Sequence, residues 1–230
     1  MRLRNVKNAS DILNSSKYYV FSDAYPKANW NSLFGNNKPI MLEIGMGKGD
    51  FLIGMAKLHP EYNFIGIEKY ESVLVRAVQK LDDLSLDNIK VINADAISLI
   101  QIFDHEIDTI YLNFSDPWPK KKHHKRRLTH EAFLRVYDEL FKGIPKIIMK
   151  TDNDGLFEGS LVSLSQYGYI LDEVILDLWN SKKENIMTEY ETKFGGLGFK
   201  IKYLSAHKNI EESTKIWYNK NCSGGNLWKK

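Results

Sequence analysis

One cysteine, Cys222, in 230 residues excludes an intrachain disulfide and any Cys-x-x-Cys metal site, and suits a reducing cytosol. No apolar stretch approaches membrane-spanning length, and no apolar segment of signal-peptide type follows Met-Arg-Leu-Arg-Asn-Val-Lys-Asn, so the expected location is cytoplasmic, away from membranes. The chain also lacks internal repeats and low-complexity linkers, and 230 residues suffice for one compact domain with a substantial core. The expected organisation is a single domain over 1–207, with 1–35 as an N-terminal arm and helical cover, followed by a tail over 208–230 that carries Trp217 and Trp228. Net charge is only +3, so attraction for a polyanion must come from clustering.

Such a cluster is present. Residues 113–127, Asn-Phe-Ser-Asp-Pro-Trp-Pro-Lys-Lys-Lys-His-His-Lys-Arg-Arg, set Asp116, two prolines and Trp118 against a run of cationic side chains, with Arg2, Arg4 and Lys7 as a smaller basic group. An ordinary solvated charge run is one reading of Lys120–Arg127. Chemistry on a nucleic acid is the other, favoured because an apolar strand over Ile107–Phe114 places Asp116 just past a carboxyl end, where open α/β sheets hold ligands.

Short apolar runs alternate with helix-length segments, the pattern of βαβ units and a largely parallel sheet. Strands are expected over Ile40–Ile44, Phe64–Glu68, Lys90–Asn93, Ile107–Phe114 and Lys146–Thr151. Helices are expected over Asp50–Leu58, Ser72–Leu84, Ala96–Phe103 and Thr129–Phe141, the last with Thr129 as N-cap. Tyr169–Leu178 and Phe199–Leu204 read as a terminal antiparallel strand pair.

A second constellation, Glu43-Ile-Gly-Met-Gly-Lys-Gly-Asp50, occupies a strand-to-helix junction, and Glu68 closes the next strand. Gly45, Gly47 and Gly49 permit close approach of a ligand to backbone, and an acid at Glu68 can accept from ribose hydroxyls. A dinucleotide-binding dehydrogenase shares that logic but wants glycine in the sixth place from Gly45, where Asp50 stands. Glu43 is awkward beside a pyrophosphate and comfortable beside the ammonium and sulfonium of S-adenosylmethionine. Asp95 has two readings, acceptor from the adenine amino group or helix N-cap.

Together, Leu42–Gly49, Phe64–Glu68, Tyr111–Lys120, Lys150–Asn153 and Thr188–Glu191 resemble the bacterial tRNA (guanine-N7)-methyltransferase family, TrmB, with matching blocks spread over residues 40–204. The resemblance implies a Rossmann-like class I methyltransferase: a mostly parallel seven-stranded sheet with helices on both faces and a terminal antiparallel strand pair. It implies transfer of methyl from S-adenosyl-L-methionine, without a metal, to N7 of guanosine 46 in the tRNA variable loop. It further implies donor contacts at Glu43, Gly45, Gly47, Glu68, Asp95 and Asp116, with Asp116 also catalytic. By the same likeness Lys120, Asp152, Thr188 and Glu191 touch substrate, while Lys122, His123, His124, Lys125, Arg126 and Arg127 contact RNA. Monomer and homodimer both stay open.

Guanine N7 carries an in-plane lone pair and no hydrogen, so methylation there needs no general base. Positive charge moves instead, and carboxylates from Asp116, Asp152 and Glu191 are candidates to follow it and to accept from the Watson–Crick edge of guanine. N7 lies in a groove of A-form RNA too narrow for side chains, so the base must be extruded. Trp118 then either stacks on it or packs in the core. Thr188 and Glu191 also fit a capping box, compatible with substrate contact. His123, His124 and His130 sit among cations that repel a divalent ion, and Ser115 lacks a histidine partner. The rival functions are an exocyclic-amine methyltransferase, suggested by Asp-Pro-Trp, and a non-catalytic RNA-binding module.

Overall fold

The computed structural model describes residues 6, 8–194 and 198–208. Seven strands form one sheet: β1 Ile40–Ile44, β2 Asn63–Glu68, β3 Ile89–Asn93, β4 Ile107–Asn113, β5 Lys146–Thr151, β6 Tyr169–Ile175 and β7 Lys202–Lys208. Their order is β3-β2-β1-β4-β5-β7-β6. The first five run parallel, and β7 is antiparallel to both β5 and β6. The helices are α1 Ala9–Ser15, α2 Asp50–Leu58, α3 Glu71–Asp82, α4 Glu131–Asp138, α5 Asp154–Gln166 and α6 Glu189–Phe194.

Every residue of β1 and β2 is buried, because helices cover both faces of the parallel portion. Alternation along each strand divides the core. Ile40, Leu42 and Ile44 join Ile110, Leu112, Ile147 and Met149 in one layer, under α4 and α5. Met41 and Tyr111 belong to the opposite layer, with Phe51 and Leu52 of α2 and Leu74 and Val78 of α3. The period of two therefore puts Glu43, Asn113 and Lys150, near or at the carboxyl ends of β1, β4 and β5, on the α2 face of the sheet. Tyr111 lies opposite Glu43, and Asn113 opposite Lys150.

Four expectations change. Ala96–Gln101 is a 3-10 segment capped by Asp95, where an α-helix to Phe103 is expected. His130, not Thr129, caps α4: its Nδ1 accepts from Ala132 N, while the Thr129 hydroxyl is buried against Ser160 Oγ at 2.8 Å. Helix α5 is an addition, its Gly155, Gly159, Ser160, Ser163 and Ser165 giving weak helical propensity, and Asn153 Oδ1 starts it by accepting from Leu156 N at 2.8 Å. The final strand begins at Lys202 and runs to Lys208, so the expected tail begins inside β7. Cys222, Trp217, Trp228, Arg2, Arg4 and Lys7 lie outside the described residues. Among the described residues no helix is long and apolar enough to cross a membrane.

The N-terminal segment closes one edge of the sheet. Val91 N donates to Tyr18 O at 2.9 Å and Val20 N to Val91 O at 3.0 Å, which satisfies backbone groups on the outer side of β3. Trp30 then anchors the segment: it is fully buried, its ring lies 5.0 Å from that of Phe103 in a tilted contact, and its Nε1 donates to Ile102 O at 3.0 Å. Its backbone N donates to Glu106 Oε1 at 2.7 Å. Trp30→Ala is expected to lower the unfolding free energy by about 3–5 kcal/mol in urea titrations, from lost burial and an orphaned carbonyl.

Candidate active site

The strand order reverses between β1 and β4, and a crevice opens there outside the carboxyl ends. The turn after β1 is moored to β2, since Gly45 N and Met46 N donate to Ile67 O at 2.8 and 2.9 Å. Gly47 adopts φ +58° and directs its N–H to Glu68 Oε2 at 3.0 Å. Gly49, at φ +78°, starts α2; a Cβ there would lie 2.9 Å from Met46 Cε and 3.2 Å from Ala77 Cβ. The turn thus needs glycine at both positions, one for its angle and one also for space.

Glu43 is buried, with Oε1 accepting from Asn113 Nδ2 at 2.8 Å and Oε2 lacking any partner among the described residues. Burial pushes its carboxyl up to about 8, against the Asn113 hydrogen bond and the Lys150 charge and with the Glu68 charge. It borders a cavity of about 180 Å³ together with Gly47, Asp50, Asn113, Phe114 and Tyr190. Glu68 is also buried, its oxygens accepting from Gly47 N and Tyr70 N. Burial raises its pKa, backbone hydrogen bonds oppose that, and the charge of Asp116 adds to the rise.

Asp116 is exposed in the loop after β4, near enough to Glu68 for the two charges to interact. Phe114 at φ +50° and Trp118 at φ +40° bracket it, a left-handed geometry that costs bulky side chains energy and persists only when surroundings hold it. Glu43, Gly45, Gly47, Glu68 and Asp116 thus gather about one crevice. Asp95 is committed locally: it accepts from Ile97 N at 3.3 Å and Lys69 Nζ at 2.6 Å, the N-cap reading. Burial works against its ionisation, but Lys69 and the amides of Ile97 and Ala96 hold its pKa below the usual carboxylate range.

Segment 185–191 roofs the glycine turn. Lys150 Nζ donates to Asn185 Oδ1 at 3.0 Å, Ile186 O at 2.8 Å and Glu191 Oε2 at 2.7 Å, and lies 4.8 Å from the Phe51 ring centre. Thr188 and Glu191 form the reciprocal capping box of α6, Glu191 N donating to Thr188 Oγ1 at 3.0 Å and Thr188 N to Glu191 Oε2 at 2.8 Å. Glu191 is fully buried, with its second oxygen taken by Asn185 Nδ2, so the expected contact with substrate is replaced by an internal ion pair. Asp152 accepts from Tyr190 OH at 2.9 Å, Tyr190 stacks on Phe114 at 4.9 Å, and Lys48 pairs with Glu189 across the cavity mouth.

Lys121–Arg126 is a 3-10 segment that follows Lys120. Lys120, Lys122, Lys125 and Arg126 are exposed, and His123 and His124 half-buried. Arg126 lies over the Trp118 ring at 4.8 Å and His123 meets its edge at 5.8 Å, so Trp118 belongs to the basic surface more than to the core. Arg127 departs from expectation: it is 8% exposed, with Nε donating to Pro117 O at 2.9 Å and Nη1 to Gly155 O at 3.1 Å, which withdraws it from the RNA-facing set. Sequence reasoning missed Asn113 and Lys150 as parts of this machinery. The available signals were an asparagine ending a buried strand and a lysine inside the apolar run Lys146–Thr151.

Comparison with known proteins agrees with this geometry. Residues 37–204 match a family model described as "Putative methyltransferase". The tRNA (guanine-N(7)-)-methyltransferase of Geobacillus thermodenitrificans (strain NG80-2) is 51% identical over 216 residues, 93% of this chain and 100% of that protein. That of Bacillus subtilis (strain 168) is 51% identical over 201 residues, 86% of this chain and 94% of its own. Among solved structures, the 16S rRNA methyltransferase KamB superposes with a TM-score of 0.63 at 13% identity, over 80% of this chain and 94% of that one, a likeness of fold. The chain belongs to the tRNA (guanine-N7)-methyltransferase family of class I, S-adenosylmethionine-dependent methyltransferases.

Proposed function

We propose that this protein transfers a methyl group from S-adenosyl-L-methionine to N7 of a guanosine in tRNA, at position 46 of the variable loop, and that residues 1–207 act as one methyltransferase domain. The observation that carries the reading is Glu43 Oε2, a buried oxygen without a donor at the edge of a cavity, inside the field of Glu68 and near Lys150. A buried acceptor left without a partner among the described residues fits a ligand cation that brings its own hydrogens. The donor supplies a sulfonium methyl, which N7 takes through its lone pair to leave a neutral thioether and a cationic base.

Glu43 holds the ammonium of the donor. Glu68 keeps free lone pairs after accepting one amide at each oxygen, and receives the ribose hydroxyls. Gly45 and Gly47 let backbone approach, and Asp95, two residues beyond β3 and already accepting from Ile97 N and Lys69 Nζ, keeps acceptor capacity for the adenine amino group. Asp116 lies where the base arrives, and its fixed charge favours the cation that forms there; Asp152, held by Tyr190, lines the substrate side. Lys120, Lys122, Lys125 and Arg126, with His123 and His124 among them, grip the phosphates beside the extruded base, and Trp118 and Tyr190 offer rings to stack against.

Incubation with unmodified tRNA and labelled donor, followed by nucleoside analysis, is expected to yield 7-methylguanosine. Label on an exocyclic amine, or none, would displace this reading in favour of another base methyltransferase or an RNA-binding module. Glu43 provides a separate test through its proton. A carboxyl raised to about 8 is mostly protonated near neutral pH, and a bound cation favours the ionised form, so donor binding expels a proton. Calorimetry in buffers of different ionisation enthalpy should register that release, and donor affinity should climb as pH rises towards 8. Glu43→Gln is expected to remove the release; an equal release from both proteins would place the ammonium elsewhere.

A further inference from the structure

We infer that Arg127 is a positioning residue for Asp116: its guanidinium fork ties the Asp116 loop to the first turn of α5 and thereby sets the separation of Asp116 from Asp152. The inference rests on the proposed role of Asp116 and reassigns the last residue of the basic tract. Lys125 and Arg126 are exposed, whereas Arg127 turns inward and is 8% exposed. Its Nε reaches the carbonyl of Pro117, the residue after Asp116, and Nη1 reaches the carbonyl of Gly155, three residues after Asp152.

The site around the fork is shaped to receive it. Gly159, one turn along α5 from Gly155, opens a slot: a Cβ there would fall 2.4 Å from Arg127 Nη1. The partners identified for the guanidinium are two carbonyls, so its planar fork, rather than charge alone, does the joining, and a lysine ammonium cannot match both directions. The loop it holds has reason to need holding. Phe114 and Trp118 both sit at positive φ, and Pro117 and Pro119 have no N–H with which to build hydrogen bonds inside the loop. Arg126 on Trp118 clamps the loop from outside, where water competes. Arg127 does so from inside.

Steady-state kinetics on the full chain with transcribed tRNA separate this role from phosphate contact. Arg127→Lys keeps the positive charge and is expected to lower kcat by about tenfold to a hundredfold, the usual cost of misplacing a reacting group. The tRNA KM, its salt dependence and the donor Kd should stay within about twofold of wild type. Lys125→Ala should show the opposite pattern, with a higher tRNA KM and a salt slope reduced by about one. Gly159→Ala, a better helix former, presses on the same fork and should lower kcat without lowering the melting temperature, which covers the case of an Arg127 variant that fails to fold. Wild-type kcat in Arg127→Lys or Gly159→Ala would overturn the inference. So would an Arg127→Lys phenotype confined to tRNA KM and salt slope. Asp116→Asn, run alongside, tests the underlying reading by itself: undiminished turnover there removes Asp116 from the chemistry whatever Arg127 does.

Discussion

The site depends on one buried ion pair, Lys150 with Glu191, whose side chains are 4% and 0% exposed. Removing two charges from water costs several kcal/mol each, and their attraction offsets that only when geometry is good and the remaining polar atoms are satisfied. Here they are: Asn185, the Ile186 carbonyl and the Thr188 amide complete both groups. Burial nevertheless lowers the pKa of Lys150, while Glu191 first and Glu43 after it pull the other way. The pair fastens a segment far along the chain onto the strand beside the crevice, so Tyr190 can meet Phe114 and Asp152, and Glu189 can meet Lys48. Loss of either partner would leave a charge stranded in the core and free the roof at once.

Electrostatic imbalance is the second consequence. Glu43, Glu68 and Glu191 are buried near one buried lysine, and Lys150 already spends its closest contact on Glu191. Glu43 is left with an amide and an empty oxygen, and Glu68 with backbone N–H groups. Asp116 adds a further charge at the rim. A pocket whose acids outnumber its cations raises the pKa of the acids it contains, and relaxes when a cation enters. Burial is what chiefly raises the carboxyl of Glu43, with the Glu68 charge adding to the rise against Asn113 and Lys150, and a cation placed beside it would favour the ionised form.

How much of this was legible in the sequence follows from what each signal encodes. The bounds of β1 and β5 agree with expectation because each is built on a run of three apolar residues, Ile40–Leu42 and Ile147–Met149, that enters the core. The carboxylates at Glu43 and Glu68 were legible because strand ends and glycine turns have few alternatives. Helix α5 was not, since glycine and serine give it little intrinsic preference and packing under the sheet stabilises it instead. Glu191 and Arg127 were placed on the wrong side of the surface for a common reason. Residue type announces a charge, but whether it turns inward is set by partners contributed from elsewhere: Lys150 for Glu191, and the carbonyls of Pro117 and Gly155 for Arg127.

Those two inward charges also explain how an exposed, strained loop can place a group accurately. Positive φ at Phe114 and Trp118 stores energy that the loop would release by relaxing, and proline at 117 and 119 limits the routes it can take. Arg127 opposes that release from the α5 side and Tyr190, stacked on Phe114 and anchored through α6 to Lys150, opposes it from the other. Methylation at N7 requires no proton to be taken, so the protein has little to contribute except where charge sits when the base becomes cationic. Stabilisation of that kind scales with how little the charged group must move during the reaction, and the role proposed for Asp116 draws on two buried cations, Lys150 and Arg127, that anchor the walls on either side of its loop.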